Sequence, residues 1–149
     1  MKKYHYRFDN VLSIREMERS ETEIEYQAAI DRFEVVATEL YQLLKRKEET
    51  IEEQTNAMEK GASVLSIHHY MNFIESLEKK IEQLQQEVMK ARTSMQWHEQ
   101  KLLERTVEVK KYEKMKEKDV ERFNKEMNQL EAKHLDELSM TAVFGKENG

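Results

Sequence analysis

Five histidines (His5, His68, His69, His98 and His134) are the side chains here best suited to hold a metal or move a proton near neutral pH. None stands in an HExxH pattern, and neighbours such as His68 and His69 point about 100° apart on a helix. Carboxylates are abundant, but on a solvated helix no cavity exists to shift their pKa values. The chain has no glycine-rich phosphate loop, no nucleophile elbow and no Walker lysine. Its lack of cysteine removes disulfides, thiol catalysis and thiolate metal sites. The residues therefore read as those of a protein that is not an enzyme and carries no metal or other cofactor.

The elements that would position any site are long helices. Apolar residues recur at alternating spacings of three and four at Ile67, Tyr70, Ile74, Leu77, Ile81, Leu84, Val88, Ala91 and Met95. His98 and Arg105 interrupt the series, which resumes at Leu102, Val109 and Tyr112. This spacing keeps one seam of a helix against a partner helix through supercoiling. No proline is present to break the backbone ladder. Gly61 suits a helix C-cap and Ser63 or Ser66 the next N-cap. The pattern predicts a helix over about 7–58, a turn over about 59–66, a helix over about 66–140 and a flexible tail over about 141–149.

The first helix offers a matching seam at Ile30, Phe33, Ala37, Leu40, Leu44, Lys47, Ile51, Gln54 and Met58. Folded back at Gly61, it layers Met58 on Ile67, Ile51 on Ile74, Leu44 on Ile81 and Phe33 on Ala91 in one constant register. The expected fold is all-α, a single-domain antiparallel two-helix coiled-coil hairpin whose second helix outruns the first. A monomer is expected; a dimer through the same seam is the alternative.

Continuing the register brings Tyr26 to His98, Glu23 to Leu102 and Arg19 to Arg105, so packing should weaken away from the turn and that end should fray. Residues of about 118–140 have no helical partner, and the tail adds Met140, Ala142, Val143 and Phe144. Beside the seam lie further apolar residues: Val36, Leu43, Phe73, Trp97, Leu103 and Val107. Such residues can anchor a partner helix or groove.

Charged residues make up 37% of the chain and the formal net charge is -5. Lys110, Lys111, Lys114, Lys116 and Lys118 alternate with Glu108, Glu113, Glu117 and Asp119, which is a salt-bridged face rather than a phosphate-reading patch. No nucleic-acid partner is expected. No run approaches the ~18 apolar residues of a membrane span. The opening Met1-Lys2-Lys3-Tyr4 leads into no apolar core of signal-peptide length. The expectation is a cytoplasmic protein that reaches a membrane only through a partner.

The segment from Gly61 through Tyr70, Phe73, Leu77 and Ile81, with its YxxFIxxLEKxIEQ string, resembles the hinge and second-helix start of the FliJ family. That family is the small coiled-coil component of the bacterial flagellar type III protein export apparatus. The opening from Tyr6 and Phe8 through Leu12 to Arg15 is similar to the family's N-terminus, so the likeness covers nearly the whole chain. It implies a central-stalk-like factor whose tip enters the hexameric flagellar export ATPase. Its rod would contact the cytoplasmic domain of the membrane export gate and cycle export chaperones. Such a protein serves flagellum biogenesis, and through it motility and chemotaxis, at the cytoplasmic face of the cell membrane.

Carried onto this sequence, the resemblance assigns the ATPase-ring tip to Phe8, Leu12, Arg15, Lys110, Lys111, Lys114 and Phe123. It assigns the gate surface to Leu43, Phe73 and Leu77. Arg46, Thr50 and Lys80 depart from the family pattern there, which bears on the detail of the gate interface. Composition and periodicity alone fit two other roles equally: an export chaperone or chaperone escort, and a generic coiled-coil scaffold.

Overall fold

The computed structural model describes residues 2–147, with side chains described as far as residue 145. Two helices account for most of it: α1 spans Asp9–Glu59 and α2 spans Val64–Glu147. They pack against each other as a helical hairpin, and no strand occurs among the described residues.

Local hydrogen bonds set the turn between them. Gly61 takes a φ of 78°, a left-handed conformation that costs other residues a Cβ clash. Around it, the Ala62 amide donates to the Ala57 carbonyl at 2.9 Å and the Gly61 amide to the Met58 carbonyl at 3.2 Å. That is the Schellman arrangement, which satisfies two of the helix's last carbonyls. Ser63 then opens α2: its Oγ accepts from the Ser66 amide at 3.2 Å, leaving one fewer orphan donor.

The chain divides into two compact units, one of residues 20–103 and one of residues 2–19 with 104–147. In the first, α2 buries or half-buries the expected series from Ile67 to Met95, followed by His98 and Leu102. The register is as expected too. Lys47 Nζ lies 3.4 Å from Glu78 Oε1, and the Arg92 guanidinium lies 5.8 Å from the Phe33 ring centroid.

The α1 seam keeps Ile30 and Ala37 half-buried as expected but departs from the expected one nearer the turn. Phe33, Leu40, Lys47 and Gln54 face inward as read, and the neighbouring column of Ala29, Val36, Leu43, Thr50 and Ala57 is buried or half-buried with them. Leu44, Ile51 and Met58 are exposed instead. Two adjacent columns compete for the seam, and the more apolar one loses. Small side chains at Ala29, Thr50 and Ala57 allow close approach by the larger residues of α2. Thr50 is only 1% exposed, and its hydroxyl is satisfied by the Arg46 carbonyl of its own helix at 2.7 Å.

The second unit has a core where fraying was expected. Tyr6, Leu12 and Val109 are buried, Val109 completely, with Tyr4, Phe8 and Tyr112 packed around them. Residues 2–8 precede α1 without helical structure and lay alternate aromatics, Tyr4, Tyr6 and Phe8, onto the cluster. Residues 7–8 form a turn closed by the Asp9 amide, which donates to the Tyr6 carbonyl at 3.2 Å. Farther along, α2 continues as helix through 141–147, past the expected end near 140. No proline interrupts this stretch, and Thr141 Oγ1 donates to the Glu137 carbonyl at 2.8 Å. Residues 148–149 lie outside the described residues. From Gln129 to Gly145 every side chain is exposed, Leu130, Leu135, Leu138 and Phe144 among them.

Candidate functional site

The expected ATPase-facing residues all fall in the unit of residues 2–19 and 104–147, where they divide by role. Leu12 is buried and Phe8 half-buried, so both build the core. Phe8 packs at 6.3 Å from Tyr112, and Phe123 and Tyr4 meet edge to face at 5.4 Å. Lys110, Lys111 and Lys114 are exposed along α2. The aromatic core thus holds a lysine-bearing helix surface in place.

Arg15 belongs to a charged layer. Its Nη1 and that of Arg105 each donate to Glu18 Oε2 at 3.0 Å, so one carboxylate serves two guanidiniums. The hydrogen bond to Glu18, and then its charge, hold the Arg15 pKa above the ordinary value. Both Nε atoms are buried without a hydrogen-bond partner. A charged layer with orphaned donors is poor packing but gives a strict pairing rule, since slipping the register would strand a charge.

The tyrosines of the N-terminal segment escaped the sequence reading. The Tyr4 hydroxyl donates to Asp119 Oδ2 at 3.0 Å, and the Tyr6 hydroxyl donates to the Tyr112 carbonyl at 3.0 Å. Desolvation, followed by the Asp119 hydrogen bond and charge, pushes the Tyr4 pKa up to about 12. Tyr6 is raised as well, chiefly by burial. Three aromatics within residues 4–8, ahead of the helix, were the available signal.

The expected gate residues lie in the unit of residues 20–103, and they too divide. Leu77 is 4% exposed and Leu43 half-buried, both inside the seam. Phe73 is 43% exposed and lines a groove of about 390 Å³ with Arg46, Thr50, His69 and Tyr70. The Arg46 guanidinium stands 5.6 Å from the Phe73 ring centroid and also lies 3.8 Å from Glu49 and from Glu53. Leu43 and Leu77 therefore belong to the seam, while Phe73 is exposed under an arginine. Sequence reasoning noted Arg46 only as a departure from the family pattern and missed its place over the ring.

His68 and His69 are exposed on the first turns of α2. Among the described residues, no group of three or more His, Cys, Asp or Glu side chains is placed to hold a metal ion. No helix of the described residues is long and apolar enough to cross a membrane. The surfaces on offer are helix faces bearing charge and single aromatics, suited to recognising another protein.

No solved structure matches the chain. A protein of Bacillus subtilis (strain 168) described as flagellar FliJ protein is 34% identical over 137 residues, covering 92% of this chain and 93% of the relative. The family described as flagellar FliJ protein matches residues 4–148, and the chain belongs to that family.

Proposed function

We propose that this protein is a non-enzymatic component of the bacterial flagellar protein export apparatus, coupling its hexameric ATPase to the cytoplasmic domain of its membrane export gate. The observation that carries the reading is membership of the flagellar FliJ family over residues 4–148. The two units give the role a division of labour. Lys110, Lys111 and Lys114 offer the ATPase ring an exposed cationic face on a helix held by the aromatic core. Phe73 offers the gate an exposed aromatic anchor, with Leu43 and Leu77 in the adjoining seam.

Coupling of this kind needs contact rather than chemistry. An asymmetric helical pair inside a six-fold ring favours some subunit conformations over others, and the difference in contact free energy biases assembly and turnover. The protein would work in the cytoplasm, at the inner face of the cell membrane, as a monomer bound to the apparatus.

A second reading is favoured by the uncovered end of α2, where Leu130, Leu135, Leu138 and Phe144 are exposed. A surface of that kind suits holding or escorting export chaperones and their clients. ATP hydrolysis by the cognate export ATPase, titrated with this protein, separates the two. Stimulation saturating near one copy per hexamer supports coupling. Unchanged turnover, with binding to export chaperones retained, supports the escort role.

A further inference from the structure

In the unit of residues 20–103 the two edges of the seam differ. Arg46 of α1 meets Phe73 of α2 along one edge. On α1 that edge carries Arg32, Glu39, Arg46 and Glu53 at seven-residue intervals, alternating in charge. It is an ordinary solvated flank of a two-helix pair. The other edge of α1 carries Ile30, Ala37, Leu44, Ile51 and Met58, also at seven-residue intervals. A strict seven-residue repeat keeps its place beside the seam through supercoiling. Ile30 and Ala37 are half-buried, while Leu44, Ile51 and Met58 are 38%, 41% and 55% exposed.

A helix with one partner needs only the narrow seam stripe. Adding a third apolar column widens the stripe to that of a helix packed between two neighbours. This hairpin supplies the first neighbour and leaves the second place open. The rim of the open place is acidic. Glu34 and Glu48 stand three residues before Ala37 and Ile51 on α1, hence on the same side, while Glu75 and Glu82 flank it on α2. Arg92 is the cation on that edge of α2, and it is engaged over the Phe33 ring.

We propose that this edge is a docking groove for an amphipathic helix of a partner protein, with an apolar stripe flanked by Lys and Arg. The open column runs about 42 Å at ~1.5 Å per residue, room for a helix of about four heptads. A second copy of this chain is a poor occupant, because it would bring the same carboxylates against this rim. The groove lies on the edge of the seam away from Phe73, and the inference does not depend on the flagellar reading.

Two designed peptide helices of about four heptads test it, with identical apolar residues and either Lys or Glu at the flanking positions. Fluorescence anisotropy against the full chain should show binding of the basic peptide, weakening with salt, and none of the acidic one. Leu44→Glu and Ile51→Glu should each weaken binding about tenfold or more, since each places a charge at the centre of the interface. Arg46→Glu, on the opposite edge, should leave binding unchanged. Circular dichroism checks that the variants stay helical, with Ile51→Gln as the milder substitution that must also weaken binding. Equal affinity for both peptides would overturn the proposal, as would undiminished binding by Leu44→Glu and Ile51→Gln. Sedimentation showing a dimer that Ile51→Glu dissolves would also overturn it, giving the edge to a second copy.

Discussion

Arg46 covers the face of Phe73 at 5.6 Å while lying within 3.8 Å of both Glu49 and Glu53. The ring proposed to meet the export gate is thus partly capped by the chain's own cation. Exposed cation–π contacts contribute about 0.5–1 kcal/mol, small enough for a partner to displace. Arg46→Ala should therefore tighten gate binding, and Phe73→Ala should weaken it. Isothermal titration with the gate's cytoplasmic domain measures both, and matching changes in the two variants would reject a capping role.

Charge reversal at Lys110, Lys111 and Lys114 should leave helicity and thermal stability nearly unchanged, because all three side chains are exposed. Stimulation of the export ATPase should fall severalfold in the same protein. Gate binding should be untouched. An ATPase titration beside a gate-binding isotherm reads both effects, and equal losses in the two would argue against separate faces.

Val109 has no exposed surface at all, so its replacement by Ala opens a cavity inside the aromatic cluster. The expected loss is about 2–3 kcal/mol, from two methyl groups plus the cavity. Hydrogen exchange should show it as faster exchange around residues 104–123, with amides near Leu77 and Ile81 unaffected.

Exchanging the two columns of α1 provides a direct test of the seam. Thr50→Ile forces a larger side chain into a closed position and should destabilise by about 1–3 kcal/mol. Ile51→Thr changes a half-exposed side chain and should lose less than about 1 kcal/mol. Chemical denaturation of the two variants settles the order, and the reverse ranking would restore the column read from apolar content.

Tyr4 supplies a pH window. Its pKa is raised from 10.0 to about 12, so the neutral hydroxyl is the form the fold prefers. The contribution is therefore complete below pH 10 and is lost as pH rises through about 12. Tyr6 is raised too, so tyrosinate absorbance should show more than one late-titrating group, and Tyr4→Phe should remove one of them. Titration of every tyrosine near the ordinary value would place Tyr4 away from Asp119.

The seam of α2 was legible because its inward residues, from Ile67 through Val109, are mostly apolar while their neighbours are polar. On α1 the pattern was ambiguous. Phe33, Leu40 and Lys47 belong to either column, and apolar content favours Ile51 over Thr50 although packing selects the smaller side chain. Local hydrogen bonding decides Thr50, and hydropathy does not carry that information.

The docking of Tyr4 and Tyr6 was missed for a different reason. Their alternation is local, but Tyr4 meets Asp119 across 115 residues and Tyr6 meets Tyr112 across 106. No window of sequence shows such a pairing. For the candidate sites, Leu43, Phe73 and Leu77 came from resemblance to a family. Only three-dimensional burial separates the exposed ring from the two leucines of the seam.

The same separations order events on the ribosome. Synthesis at about 5–20 residues per second means Tyr4 waits roughly 6–23 s before Asp119 is made. Throughout that interval the nascent aromatic segment has nothing to dock against, while the Gly61 turn can close as soon as its few residues emerge. Assembly accordingly zips outward from the turn, and the N-terminal tyrosines are the last to find their places.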